Sequence, residues 1–430
     1  MSLNYPTTLS ANTLGGNLPL YVIGHNQEAL NAAIVLASLD NTVQVVADTA
    51  TIDDTLNNYR FEPQLTALWT LYGQQQRIQL LASDALDLPN YALVWLFWDS
   101  LDDDRRNGLV QLLQSPHQQV LISGISQIGQ VAQFADRLAS HWVYYLPLIF
   151  MKDGANFSSM LKPNMLLVGE KTADSHRQCS VLQFFIHHAQ QHAMADIQTV
   201  EFARSAIMTM LATRVSLMNE LSRLADSLGV NIHTVQAMMG LDSRIGQHFL
   251  AAGWGFGGRA LPMELTLLKH QFDAHQVASQ LVKAVIDINE DQKELIFRKF
   301  WRHFDGFIEH KTVVIWGAGY RSGTGRTTNS AIHPLLKLLW SYGITTYVYA
   351  SNTAFELAQL YAKQPLFVCV NNPYNMLADA DALLIINWSA LQAPDIDRLN
   401  ATPIPIFDAK NVIDNASKAR LIADYYGIGR

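Results

Sequence analysis

The chain has 430 residues, 49% of them hydrophobic and 16% charged, with a net charge of -7. That length suits two or three domains, each able to bury its own core, and the balance is that of an ordinary globular α/β protein. The negative charge gives no bulk attraction to nucleic acid or an anionic membrane surface. Two cysteines, Cys179 and Cys369, make neither a disulfide framework nor a zinc cluster. The start lacks a basic segment followed by an apolar run, and no later stretch approaches 18 consecutive apolar residues, so the expected location is cytoplasmic.

In chain order, residues 19–25 read as a short apolar strand ending in glycine, followed by a helical pattern through Ala29, Leu30, Ala33 and Leu36. Residues 42–48 form the next strand and end in Asp48, which together make the opening of a βαβ unit. Strands at 92–97 and 119–123 alternate with helical stretches, the pattern of a parallel sheet with helices on both faces. Residues 200–229 and 262–304 repeat apolar side chains at helical spacing, as at Leu281, Val282, Val285 and Ile288. A helix approaching 40 residues suggests a connection between domains that also offers a face to a second subunit. The βαβ pattern restarts at 311–319, continues through a helix at 332–342 and a strand at 345–350, and has later strands at 381–388 and 405–408.

Several local signatures are collinear with one known family. Phe61-Glu62-Pro63 follows the second strand, Leu211 to Glu220 reads LATRVSLMNE, and Leu241 to Gly246 reads LDSRIG. Asn289 to Gln292 reads NEDQ, Phe407 to Asn411 reads FDAKN, and the chain ends YGIGR. The set resembles the UDP-glucose and GDP-mannose dehydrogenases across about the whole chain. The resemblance implies two Rossmann-like doubly wound domains, at 1–197 and 306–430, joined by a helical dimerisation region at 198–305 with a long connecting helix. It also implies NAD as cofactor, a UDP-sugar as substrate and a homodimer, with the C-terminal domain holding the sugar nucleotide.

The residues at the family's functional positions differ from its pattern. The family loop GxGYGG runs into a nucleophilic cysteine that carries the substrate as a covalent intermediate. Here Gly253 to Glu264 reads GWGFGGRALPME, with Ala260 at the cysteine position and Glu264 at that of an aspartate. The lysine and asparagine of the central helix correspond to Arg204 and Met208. The threonine-bearing turn corresponds to Gly124 to Gln130, and the acid/base glutamate falls at Ile149, within the segment that corresponds to Leu148 to Gly154. Of the dinucleotide fingerprint, Gly24-His25-Asn26-Gln27-Glu28-Ala29 keeps only Gly24, with Asp48 in place for a ribose. Asn26 obstructs the pyrophosphate's approach to the backbone, and Glu28 places negative charge at the helix start.

On the sugar-nucleotide side, Arg244, Phe249, Phe256, Gly257 and Arg321 correspond to family positions, whereas Thr328 replaces an arginine and Gly323 to Arg326 replaces NTDD. The glycines and arginines serve either a ligand or the geometry of loop and subunit. Trp95 and Trp98 serve either to fill the nicotinamide side of the crevice or as core aromatics. His187, His188 and His192 lack a carboxylate or cysteine at ligand spacing, so no metal is expected. The expectation is a pseudoenzyme, a partner or regulator in polysaccharide metabolism. Two alternatives stand beside it, an active NAD-dependent dehydrogenase of altered chemistry and a non-catalytic sugar-nucleotide sensor.

Overall fold

The computed structural model describes residues 18–149, 156–388 and 393–430, and divides the chain into two compact units, Met1–Ala206 and Ile207–Arg430. The first unit is built on β1 (Leu20–Ile23), β2 (Val43–Val46), β3 (Ile78–Leu81), β4 (Leu93–Phe97), β5 (Gln119–Ser123), β6 (Val143–Leu146), β7 (Met165–Glu170) and β8 (Gln191–Asp196). Their order in the sheet is β3-β2-β1-β4-β5-β6-β7-β8, parallel except where β6 meets β7. β1, β4, β5 and β6 are buried throughout, as uninterrupted apolar strands covered on both faces must be. Alternate residues of β1 feed separate cores, Leu20 and Val22 on one face and Tyr21 and Ile23 on the other.

The helix Gln27–Ser38 buries every residue from Ala29 to Ala37, which its alanines permit by letting the backbone approach the sheet. The strand order reverses between β1 and β4, and their carboxyl ends are the switch point where open α/β sheets receive ligands. Four strands beyond the sequence-level set complete the sheet: β3, β6, β7 and β8.

The division between the units falls within the helix Ile197–Leu228, which at 32 residues is the longest element described. The second unit continues with helices Ile232–Leu241, Ala260–Ala274, Gln280–Gln292 and Leu295–His303. The single helix expected over 262–304 is therefore three. The first break follows His275, where Gln276 takes φ +55° and the Val277 N–H turns back to the Phe272 carbonyl at 2.9 Å. This left-handed stop ordinarily falls to glycine, and a glutamine there gave no signal. The second break, at Lys293 and Glu294, uses tight three-residue bonds to the carbonyls of Glu290 and Asp291.

A second sheet follows, made of β9 (Thr312–Trp316), β10 (Thr345–Tyr349), β11 (Phe367–Cys369), β12 (Ala382–Ile385), β13 (Ile406–Asp408) and β14 (Tyr425–Tyr426). All its pairings are parallel, in the order β11-β10-β9-β12-β13-β14, with the switch point between β9 and β12. Val313 and Ile315 face one core and Val314 and Trp316 the other.

Candidate functional site

In the first unit, Gly24 and Asp48 come together at the carboxyl ends of β1 and β2. They line a cleft of about 180 Å³ with His25, Ser83, Asp102 and Arg105. Gly24 has φ +145°, and a Cβ there would lie 2.5 Å from Ser100 Oγ and 2.7 Å from Phe97 Cβ. Its glycine is therefore required by packing alone. Asp48 stands at the N-cap of the helix Thr49–Asn58, its carboxylate making no bond to the helix amides. Arg105 donates to Ser83 Oγ at 2.5 Å. Burial holds His25 below the ordinary imidazole range, helped by the charge of Arg105.

Asn26 caps the helix Gln27–Ser38, its Oδ1 accepting the Ala29 N–H at 2.9 Å while its Nδ2 donates to Asp99 Oδ1 at 3.2 Å. Behind it, buried Gln27 donates to Glu62 Oε1 at 2.5 Å, and Asn156 donates to the same oxygen at 3.3 Å. Trp95 is a core residue, its Nε1 donating to Ser123 Oγ at 2.9 Å and its ring packed on Phe97 and Phe185. Trp98 also packs inward, edge-on to Phe134, with the Arg106 guanidinium 4.4 Å from its ring centre. Both tryptophans are thus structural aromatics.

Arg204 and Met208 lie one turn apart on the helix Ile197–Leu228, both buried. Sequence reasoning passed over Glu201, on the same helix and also buried. Its carboxylate accepts the N–H groups of Gly129 at 2.8 Å and Val131 at 2.9 Å, and the Ser126 hydroxyl at 3.0 Å, closing the turn that runs from Gly124 to Gln130. Burial nevertheless pushes its pKa up. Ile149 is half-buried in the turn after β6, and Met151 to Gly154 lie outside the described residues.

In the second unit, Ala260 is the first residue of the helix Ala260–Ala274, and Glu264, one turn on, is fully buried. A thiol at the first position would be acidified by the helix N-terminus, whereas the alanine methyl offers no nucleophile. The preceding glycine loop is fastened on several sides. The Gly253 N–H donates to Asn219 Oδ1 at 2.9 Å, and its carbonyl accepts from Gln292 Nε2 at 2.6 Å. Asn289 pairs with Phe256 both ways, accepting its N–H at 2.7 Å and donating to its carbonyl at 3.1 Å. Asn329 Nδ2 donates to the Gly258 carbonyl at 2.9 Å. A Cβ on Gly257 would lie 2.6 Å from the Asn329 carbonyl oxygen, and one on Gly258 2.8 Å from the Tyr320 ring.

The loop therefore meets the segment that carries Arg321, through Tyr320 and Asn329. Arg244 and Phe249 are exposed: Arg244 forms a forked pair with its own Asp242 at 2.6–3.3 Å, and Phe249 sits at φ +59°. Sequence reasoning also missed Lys410, which a Cβ on Gly253 would approach to 3.0 Å at Nζ. Among the described residues the lysine has no acidic partner, and burial pushes its pKa down to about 8. Among the described residues no group of three or more His, Cys, Asp or Glu side chains could hold a metal ion, and His187 and His188 pack ring to ring at 5.2 Å.

Comparison with known proteins places these observations. The model of the UDP-glucose/GDP-mannose dehydrogenase family's central domain matches residues 198–291. The UDP-glucose 6-dehydrogenase of Pseudomonas aeruginosa is 29% identical over 292 residues, covering 65% of this chain and 64% of that protein. That of Rickettsia conorii is 27% identical over 287 residues, 65% of each chain. These matches span a little under two thirds of the relatives' own length. Among solved structures, a UDP-glucose dehydrogenase from Pyrobaculum islandicum superposes with a TM-score of 0.78 at 18% identity, covering 96% of this chain and 98% of the other. A UDP-D-ManNAc dehydrogenase from Pyrococcus horikoshii gives the same TM-score at 16% identity, with 96% and 99% covered. At such identities the likeness concerns the fold.

Proposed function

The chain belongs to the UDP-glucose/GDP-mannose dehydrogenase family, and on that premise we propose that it is a member without catalysis, a pseudoenzyme that acts as a partner or regulator in polysaccharide metabolism. The observation that carries this reading is Ala260 at the head of its helix, the position that the sequence resemblance gives to the family's nucleophilic cysteine. Arg204 and Met208 support it. Arginine cannot release a proton, and methionine offers no donor to hold a water or an oxyanion. Groups that act as one catalytic unit lose their value together, so surviving members such as the carboxylate of Glu264 do not restore turnover.

We further propose a homodimer through the helical region 198–305. Met210, Leu217 and Leu224 recur every seven residues on the helix Ile197–Leu228 and are exposed, as are Met238 and Leu241 on the next helix. An exposed apolar seam at heptad spacing is the signature of a helix awaiting another helix. Among the described residues no helix is long and apolar enough to cross a membrane.

The test is turnover. Purified chain supplied with NAD and UDP-glucose, UDP-ManNAc or GDP-mannose forms no NADH above the protein-free rate. Saturable NADH formation with any of them sinks the proposal.

A further inference from the structure

In an open α/β sheet with this strand order, a dinucleotide lies across the carboxyl ends of β1 and β4. Its pyrophosphate sits on the N-terminus of the helix that follows β1. In this chain that seat is taken from within. Asn26 Oδ1 accepts the first-turn N–H of Ala29 at 2.9 Å, and Asn26 Nδ2 holds Asp99 Oδ1 at 3.2 Å. Asp99 lies in the short helical turn Trp98–Ser100 after β4. The same Oδ1 stands 2.4 Å from where a Cβ on Gly124, at the end of β5, would be. The carboxylate thus lies across the ends of β1, β4 and β5, at the switch point itself. Glu28 adds a second acid to the first turn of the helix.

The neighbouring helix start shows the same device independently. Glu201 takes the Gly129 and Val131 amides at the head of Gln130–Asp136. What remains open beside Asp48 and Arg105 is about 180 Å³, below the roughly 300–1,000 Å³ of small-molecule sites. The residues present do not fit a dinucleotide.

We propose that Asp99, held by Asn26, is a built-in anion that occupies the phosphate seat of the first unit and sets its specificity against NAD and other nucleoside diphosphates. The physical basis is that a diphosphate would have to displace an amide that already caps the helix and settle against a fixed like charge. This inference rests on the non-catalytic reading above, which it deepens by naming the residue that refuses the cofactor.

The experiment is calorimetric titration of NAD and ADP into the full chain, as wild type, as Asp99→Asn and as the Asn26→Gly/Asp99→Asn double variant. Asparagine keeps the shape at position 99 and removes the charge, and glycine opens the backbone at 26. Wild type is expected to take up no NAD and to bind ADP only weakly, with a Kd or a lower bound on it that serves as the reference. The single variant should bind ADP about tenfold tighter or more, a difference of one decade in Kd, and the double variant should bind NAD saturably. A double variant that melts as cooperatively as wild type yet takes up no NAD or ADP overturns the inference and leaves the non-catalytic reading standing. Should the double variant fail to fold, the single variant decides, since no gain in ADP affinity there overturns the inference as well. Saturable NAD binding by wild type overturns the inference and removes one support of the reading, whereas NADH formation overturns the reading itself.

Discussion

At the scale of single residues, Ala260 heads a 15-residue helix and on the proposed reading stands in the place of a nucleophile while lacking any reactive atom. A cysteine restored there should be acidified by the helix N-terminus, so Ala260→Cys is expected to react with iodoacetamide with a midpoint below the ordinary thiol value of about 8.5. The same variant should still form no NADH from NAD and UDP-glucose. Activity recovered by that one change would show that Arg204, Met208 and Asp99 matter far less than argued. Lys410 gives a prediction of another kind. Its folded pKa lies near 8, below that of a free lysine, so the partly buried charge costs stability at neutral pH. The cost is full below pH 8, shrinks as pH climbs through the folded and then the unfolded value, and vanishes above the latter. Lys410→Met is therefore expected to raise Tm at pH 7 by about 2–4 °C, the effect of about 1 kcal/mol in a unit of this size. The gain should fade toward pH 10.5. A gain that persists at high pH would assign it to packing instead.

At the scale of elements, the motifs that made the sequence recognisable are fasteners of the glycine loop. Asn219, Asn289 and Gln292 each bond its backbone, and Gly257 lets it close on Asn329. Asn289→Ala would leave the Phe256 N–H and carbonyl buried and unbonded, so urea denaturation is expected to show a loss of about 1–3 kcal/mol. An unchanged midpoint would mean that the loop is held some other way. These residues were legible only as parts of motifs that resemble the family's, and their bonds to the loop were not. The strands β1, β4 and β5 were legible as continuous apolar runs. Other features left no local mark. β8 reads Gln-His-Ala-Met-Ala-Asp and is mostly exposed at the sheet edge, so neither apolarity nor alternation announces it. The helix stop at Gln276 lacks a glycine. Asp99 reads as an ordinary turn residue after a strand, and its meaning comes only from Asn26 and Gly124, which lie far from it in sequence.

At the scale of the whole molecule, the fold is that of the nucleotide-sugar dehydrogenases, while on the proposed reading the groups that serve their chemistry are replaced. This is the pattern expected of a scaffold retained for interaction. The proposed dimer depends on the seam of Met210, Leu217 and Leu224. Sedimentation of a Leu217→Glu/Leu224→Glu variant is expected to give a monomer where wild type gives a dimer, since charges at seam positions oppose helix pairing. A variant that remains dimeric would place the interface elsewhere. The proposed absence of catalysis is tested most directly by a single-turnover measurement, with the protein in molar excess over UDP-glucose and NAD saturating, so that even one slow oxidation registers as absorbance. The prediction is no NADH beyond the protein-free control. Formation of one or two equivalents of NADH per UDP-glucose would contradict it.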